Sequence, residues 1–193
     1  SYLVGLIASD GSLLDQDWLV NITSVDERYL RSVRWAIGSR GCIGKKRNGS
    51  GRLAYFLNVK SKVLWNRLVE IGVTPRKSLT IGALAVPDAQ FNNFFRGVID
   101  GDGNIRRWRH PTNGREQWVV RIYGCSEPFL AWIRETTRRV WRIEGALHHD
   151  SDATGKRHTK YTLKYGKLAA KILLAECYYP GALALERKRK LAH

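Results

Sequence analysis

The sequence has no methionine, only three cysteines and five histidines, and about half as many acidic as basic residues. Cys42, Cys125 and Cys177 are far apart and odd in number. They argue against a disulfide framework and make an intracellular setting the expectation. They also lack zinc-ligand spacing with any histidine. The one His pair, His148-His149, points to two different faces and reads as loop or strand surface. Histidine this sparse does not supply an acid–base pair, and no side chain stands out as a covalent nucleophile. No stretch approaches the roughly 18 apolar residues of a spanning helix, and no signal-peptide pattern opens the chain, so no membrane partner is expected. A start at Ser1 without any Met leads us to expect a sequence trimmed at its start. The shortage of acid is the most informative. Against 33 Lys and Arg stand 17 Asp and Glu, a net charge of +16 with a pI near 10.2. That balance marks a polyanion binder, with nucleic acid ahead of an anionic membrane. The 193 residues suffice for one large or two small domains with real cores.

What is present is a motif written twice. Leu3 to Gly11 reads LVGLIASDG and Phe95 to Gly103 reads FRGVIDGDG. Gly5 and Ser9 are four apart, as are Gly97 and Gly101, so each segment offers a stripe of small residues if helical. Two such stripes let backbones approach closely. If the helices cross along them, Asp10 and Asp102 emerge side by side. Adjacent carboxylates repel unless a cation sits between them. Mg²⁺, which takes one or two carboxylates and keeps waters, is the natural candidate. A single copy would read as an amphipathic helix with Asp-Gly as its stop. Two copies with one ending favour a shared site.

The second half repeats the first. Asp10 maps onto Asp102; Trp18, Val20 and Ile22 map onto Trp118, Val120 and Ile122; Glu27, Leu30 and Arg34 map onto Glu127, Leu130 and Arg134; Tyr55 and Leu57 map onto Tyr161 and Leu163. The offset grows only between elements, within Asn104 to Gln117 and within His148 to Lys160, where turns take insertions cheaply. Each half, 1–88 and 89–193, reads as αββαββα. Helices are expected at 26–37, 61–72, 126–140 and 166–177. Alternation at Trp18/Val20/Ile22 and Trp118/Val120/Ile122 gives strands with one buried face, and further strands are expected near 41–47, 52–59, 145–150 and 158–165. The result is an α+β protein, two pseudo-symmetric halves packed through their first helices.

The strands' other face is polar. It carries Asn21 and Thr23 in the first half, and Gln117, Arg121 and Tyr123 in the second. Lys45, Lys46, Arg47 and Arg52 flank a turn in the first half. Arg106, Arg107, Arg109 and Arg115 occupy the turn before the second-half strand, and Lys156, Arg157 and Lys160 stand at a later one. A twisted sheet with such a face suits the DNA major groove, where Arg reads guanine and Asn or Gln reads adenine while other cations hold phosphates. For each residue taken alone, a solvated surface position is an equal alternative.

These stretches resemble the LAGLIDADG homing endonucleases, in the single-chain form with two motifs, over essentially the whole chain. The resemblance implies that the motif helices form the central interface, that saddle-shaped antiparallel sheets straddle double-stranded DNA, and that Asp10 and Asp102 bind metal and cut both strands across the minor groove. It implies metal contacts from the backbone carbonyls of Ser9 and Gly101. It places a basic residue near each scissile phosphate, here Lys77 and Lys188, although Lys188 lies in the charge run ERKRK, which alone would read as solvated. Ala8 stands where the motif's first Asp usually sits, whereas Asp100 keeps it. Ser24 and Gly124 occupy positions where the family often has Gln or Lys, and neither activates water well.

The expected chemistry is hydrolysis of phosphodiesters by a monomer with Mg²⁺, with Mn²⁺ or Ca²⁺ able to take the same sites. An asymmetric target is expected, since matching positions differ, as Asn21 and Arg121 do. Two alternatives use the same fold: a maturase that binds its host intron RNA, and an inactive DNA-binding regulator. Retention of both acids favours the nuclease. No splicing-block features mark either end as an intein's.

Overall fold

Each copy of the motif forms a helix that ends at its aspartate. In the computed structural model, which describes residues 1–47, 51–150 and 159–193, α1 spans Tyr2–Ser9 and α4 spans Phe91–Asp102. Between them lie β1 (Gly11–Leu14), β2 (Leu19–Ser24), α2 (Glu27–Ala36), β3 (Ile43–Arg47), β4 (Leu53–Lys60) and α3 (Lys62–Ile71). After α4 follow β5 (Gly103–Arg109), β6 (Glu116–Gly124), α5 (Glu127–Trp141), β7 (Ala146–Asp150), β8 (Lys160–Tyr165), α6 (Lys167–Cys177) and α7 (Glu186–Ala192). The fold is thus the expected α+β duplication. Two antiparallel four-stranded sheets have equivalent orders, β1-β2-β4-β3 and β5-β6-β8-β7.

Local chemistry sets the boundaries. Asp26 accepts from the Tyr29 amide at 3.0 Å and starts α2, and Ser61 accepts from the Leu64 amide at 3.2 Å and starts α3. Gly72, at φ 110°, ends α3 in the left-handed region that favours glycine. Pro128 lies in the first turn of α5, where its missing N–H has no partner to lose.

The core is continuous between halves because α1 and α4 pack directly on each other, the most extensive contact between any two elements. A Cβ on Gly5 would overlap the Phe94 carbonyl, and one on Gly97 would overlap the Tyr2 carbonyl and sit 2.7 Å from the Leu6 nitrogen. The crossing therefore requires glycine on both helices. On its other side α4 packs Phe91, Phe94 and Phe95 against Trp132 and Trp141 of α5, with ring centroids 5.3–6.0 Å apart.

Two expectations change. Trp18 is not on the buried face of β2. The first hairpin is short, pairing Leu14 with Leu19, so residues 15–18 make its turn. Trp18 sits there at φ 49°, 42% exposed beneath Lys62. Its counterpart Trp118 lies inside the longer β6 and is buried. The ERKRK run is not a solvated tail but begins α7.

Gly97→Ala should destabilise the protein by about 3 kcal/mol, because a rigid backbone oxygen occupies the required space. Gly82→Ala, which meets nothing within 4 Å, should change stability by about 0.5 kcal/mol or less. Urea unfolding of both variants checks this; equal midpoints would show that the crossing tolerates a methyl.

Candidate active site

Asp10 caps the end of α1 and Asp102 is the last residue of α4, so the helix crossing brings their side chains into hydrogen-bonding contact. Two carboxyls can share a hydrogen bond only with a proton between them. Asp102 is accordingly pushed up to about 6, by burial first and then by the adjacent Asp10. Asp10 reaches solvent, yet the surrounding protein raises it too, against the pull of Lys188, its bond to Asp102, Lys77 and Arg187.

Both candidate lysines are buried beside this pair. Lys77, 5% exposed, donates to the Gly11 carbonyl at 2.5 Å. Burial lowers its pKa, and Asp102 and Asp10 oppose that. Lys188, 3% exposed, projects from α7 and donates to the carbonyls of Ile99 at 2.5 Å, Asp100 at 2.8 Å and Gly101 at 3.1 Å. These carbonyls lie at the negative end of α4, where that of Ile99 also accepts from the Gly103 amide, and an ammonium suits them well. Burial still lowers Lys188 to about 8.

A cavity of about 580 Å³ opens beside Asp102, lined by Ser9, Lys77, Tyr123, Gly124, Cys125 and Lys160. A smaller one of about 260 Å³ opens beside Asp10, lined by Thr23, Ser24, Val25 and Arg187. Ser24 and Gly124 thus occupy equivalent places, and the Ser24 hydroxyl already accepts from the Asp26 amide. Arg187 was not among the sequence candidates. Its only signal is adjacency to Lys188, which the surrounding charge run obscures.

Asp100 stands apart from this pair. It is buried and accepts from Tyr2 at 2.7 Å, Tyr178 at 2.8 Å and the Leu185 amide at 2.9 Å. The donor set suits a hard divalent cation. The raised values of Asp10 and Asp102 mark a place where positive charge favours ionisation. No group of three or more His, Cys, Asp and Glu among the described residues is placed to hold a metal ion. The Gly101 carbonyl already accepts from Lys188, whereas that of Ser9 meets no side-chain donor among the described residues.

The sheet registers sort the remaining candidates by face. On the first sheet the face away from the helices carries Asn21 and Thr23, with Asn58 accepting from Asn21 at 2.7 Å. Lys46 joins them, donating to Thr23 at 2.9 Å. Lys45 and Arg47 alternate with Lys46 and fall on the helix side. On the second sheet the open face carries Asn104, Arg106, Trp108, Gln117, Arg121, Tyr123 and Lys164. Arg106, Arg107 and Arg109 lie in β5 rather than in the turn, because the strand runs on to Arg109. Arg107 and Arg109 point to the helix side, where Arg107 stacks on Trp118 at 4.7 Å and pairs with Glu116 at 2.5 Å. Arg52 and Arg115 are exposed in turns, and Lys160 is exposed at the start of β8. Lys156 and Arg157 lie outside the described residues. Asn58, Asn104, Trp108 and Lys164 were missed. Tyr55-x-Leu57 marks the buried face of β4, so its neighbours Phe56 and Asn58 were readable as the open one.

No family model matches the chain, and no curated protein matches it. Solved structures do. The homing endonuclease I-WcaI bound to its DNA recognition sequence matches with a TM-score of 0.68 at 7% identity, covering 100% of this chain and 84% of that one. I-DmoI in complex with DNA and Ca matches with a TM-score of 0.65 at 16% identity, covering 100% and 96%. Another I-DmoI complex with its target DNA was solved in the presence of Mn. Full-length DUF199/WhiA from Thermatoga maritima matches with a TM-score of 0.62 at 12% identity, covering 98% of this chain and 57% of that one. The fold is therefore that of the LAGLIDADG proteins, which WhiA shares. No helix among the described residues is long and apolar enough to cross a membrane.

The carboxyl pair makes stability depend on pH. Asp102 binds its proton more tightly folded than at its ordinary value of 3.8, so metal-free protein should lose stability as pH rises from about 4 to about 6. Asp102→Asn removes that loss. In EDTA at pH 8 the variant should be more stable than the parent by about 1–2 kcal/mol, with the gain vanishing near pH 4. Thermal melting across pH checks this; a variant less stable at pH 8 would contradict it.

Proposed function

We propose that this chain, a protein of LAGLIDADG fold, is a site-specific double-strand DNA endonuclease acting as a monomer. Residues 1–88 and 89–193 each address one side of a long asymmetric target. The observation that carries the reading is the contact of Asp10 with Asp102 between two buried lysines, at the roots of two hairpins with polar open faces.

Asp10 and Asp102 would hold the cation, Mg²⁺ in the working enzyme, with Mn²⁺ or Ca²⁺ fitting the same donors. When bound, it lowers the pKa of a water and neutralises charge developing on the phosphate. The chain's own groups divide the remaining work. Among the described residues Lys77 donates to one acceptor, the Gly11 carbonyl, and it faces the Asp102 cavity. An ammonium has three donors, so Lys77 keeps N–H groups for a phosphate oxygen. Lys188 meets three carbonyls and acts as a fixed positive charge that holds the end of α4 and biases both aspartates. Arg106 and Arg121 suit guanine in the major groove, and Asn21, Asn58 and Gln117 suit adenine. Cutting across the minor groove requires bent DNA, so the central base pairs select by deformability.

Cleavage of a randomised duplex library with Mg²⁺ tests the proposal. The parent should cut one family of long sites. Asp10→Asn and Asp102→Asn should bind those sites and cut them at least about 10²-fold more slowly, and Lys77→Met should slow cutting by about 10²–10³-fold with binding little changed. A parent that binds a duplex family yet leaves it intact with Mg²⁺ and Mn²⁺ would overturn the nuclease reading in favour of a DNA-binding regulator.

A further inference from the structure

The two hairpins that start at the catalytic aspartates are unequal. β1 begins at Gly11, directly after Asp10, and runs four residues; β5 begins at Gly103, directly after Asp102, and runs seven. The registers correspond, since Gly11 pairs with Ile22 and Gly103 with Ile122. The first ladder ends at Leu14 opposite Leu19, the level of Arg106 opposite Val119 in the second. Three further pairs then follow only in the second: Arg107 with Trp118, Trp108 with Gln117 and Arg109 with Glu116.

The charge is as uneven as the length. The first hairpin, residues 11–24, has Asp15 and Asp17 and no basic residue. The second, residues 103–124, has Arg106, Arg107, Arg109, Arg115 and Arg121 against Glu116 alone. At the level where the first hairpin's open face ends in leucines, the second presents the Arg106 guanidinium, 5.0 Å above the Trp108 ring. Gln117 lies opposite Trp108.

We infer that the bound DNA is gripped lopsidedly. The second half's hairpin reaches further from the cut than the first half's, and Arg106, Trp108 and Gln117 read that outer segment. Three residues at about 3.4 Å each add about 10 Å, which is about three base pairs of B-DNA. Of the phosphate contacts these two hairpins make, most lie on the same side, while the first half's Lys46 and Arg52 stand on and beside its β3–β4 hairpin. This inference rests on the endonuclease reading for the position of the cut, but the hairpin difference stands without it.

The test uses duplexes recovered by binding from a randomised library in Ca²⁺. Hydroxyl-radical footprints are taken on them, and the cuts are mapped in Mg²⁺. Protection should extend about three base pairs further on one side of the cuts than on the other. The double variant Arg106→Ala/Trp108→Ala should lose protection at that longer end only, bind about tenfold more weakly, and show a salt slope smaller by about one. Its urea midpoint should stay at the parent's. Protection centred on the cuts, or a variant that shortens neither end or the short one, would overturn the inference and leave the nuclease reading intact. Absence of cutting would overturn the nuclease reading instead, and the variant's footprint would then decide the inference alone.

Discussion

Two helices that approach at backbone distance govern the rest of this structure. Gly5 and Gly97 leave no room for a side chain between α1 and α4, and that contact fixes the distance between the two aspartates that follow. A wider crossing would separate Asp10 from Asp102 and leave two ordinary carboxylates. At this crossing the two carboxyls meet, burial raises both values, and the neighbouring Asp10 raises Asp102 further. Since β1 and β5 each start at the next residue, the same contact sets where both sheets begin. Folding and site geometry therefore depend on one interface.

Around this symmetric centre the supporting groups differ. In the second half Asp100 binds Tyr2, Tyr178 and the Leu185 amide, where the first half has Ala8. Arg96, also buried, lies 5.0 Å from the rings of both Tyr2 and Tyr179 and donates to the carbonyls of Cys177 and Leu183 at 2.8 Å. Together these bonds hold the segment after α6 against α4 and deliver Lys188 to the helix end. Lys77 reaches the opposite side from a short 3-10 turn instead. Two lysines thus meet one carboxylate pair by unlike routes. One is saturated by backbone carbonyls and the other faces a cavity.

Much of this was legible in the sequence. The duplication could be followed because each strand keeps one apolar face and because insertions fall in turns. The paired small-residue stripes announced the crossing, and the two Asp-Gly endings announced the carboxylate pair. What the residues without the resemblance did not show depended on distant partners. Nothing local distinguishes Lys188 from its neighbours in ERKRK, since its burial comes from three carbonyls about 90 residues earlier in the chain. Lys45, Arg47, Arg107 and Arg109 looked equivalent to Lys46 and Arg106 by composition, but strand alternation turned them to the helix side. Trp18 broke its pattern because the first hairpin closes before reaching it.

The central claim is that the crossing makes Asp10 and Asp102 one site. Titration of the aspartate ¹³Cγ signals by NMR in metal-free protein tests it most directly, with Asp10→Asn and Asp102→Asn supplying the assignments. One carboxyl should titrate near pH 6, fall when its partner is replaced, and fall again when Ca²⁺ is added. Two carboxyls titrating independently near the ordinary value of 3.8, each indifferent to loss of the other, would contradict the account.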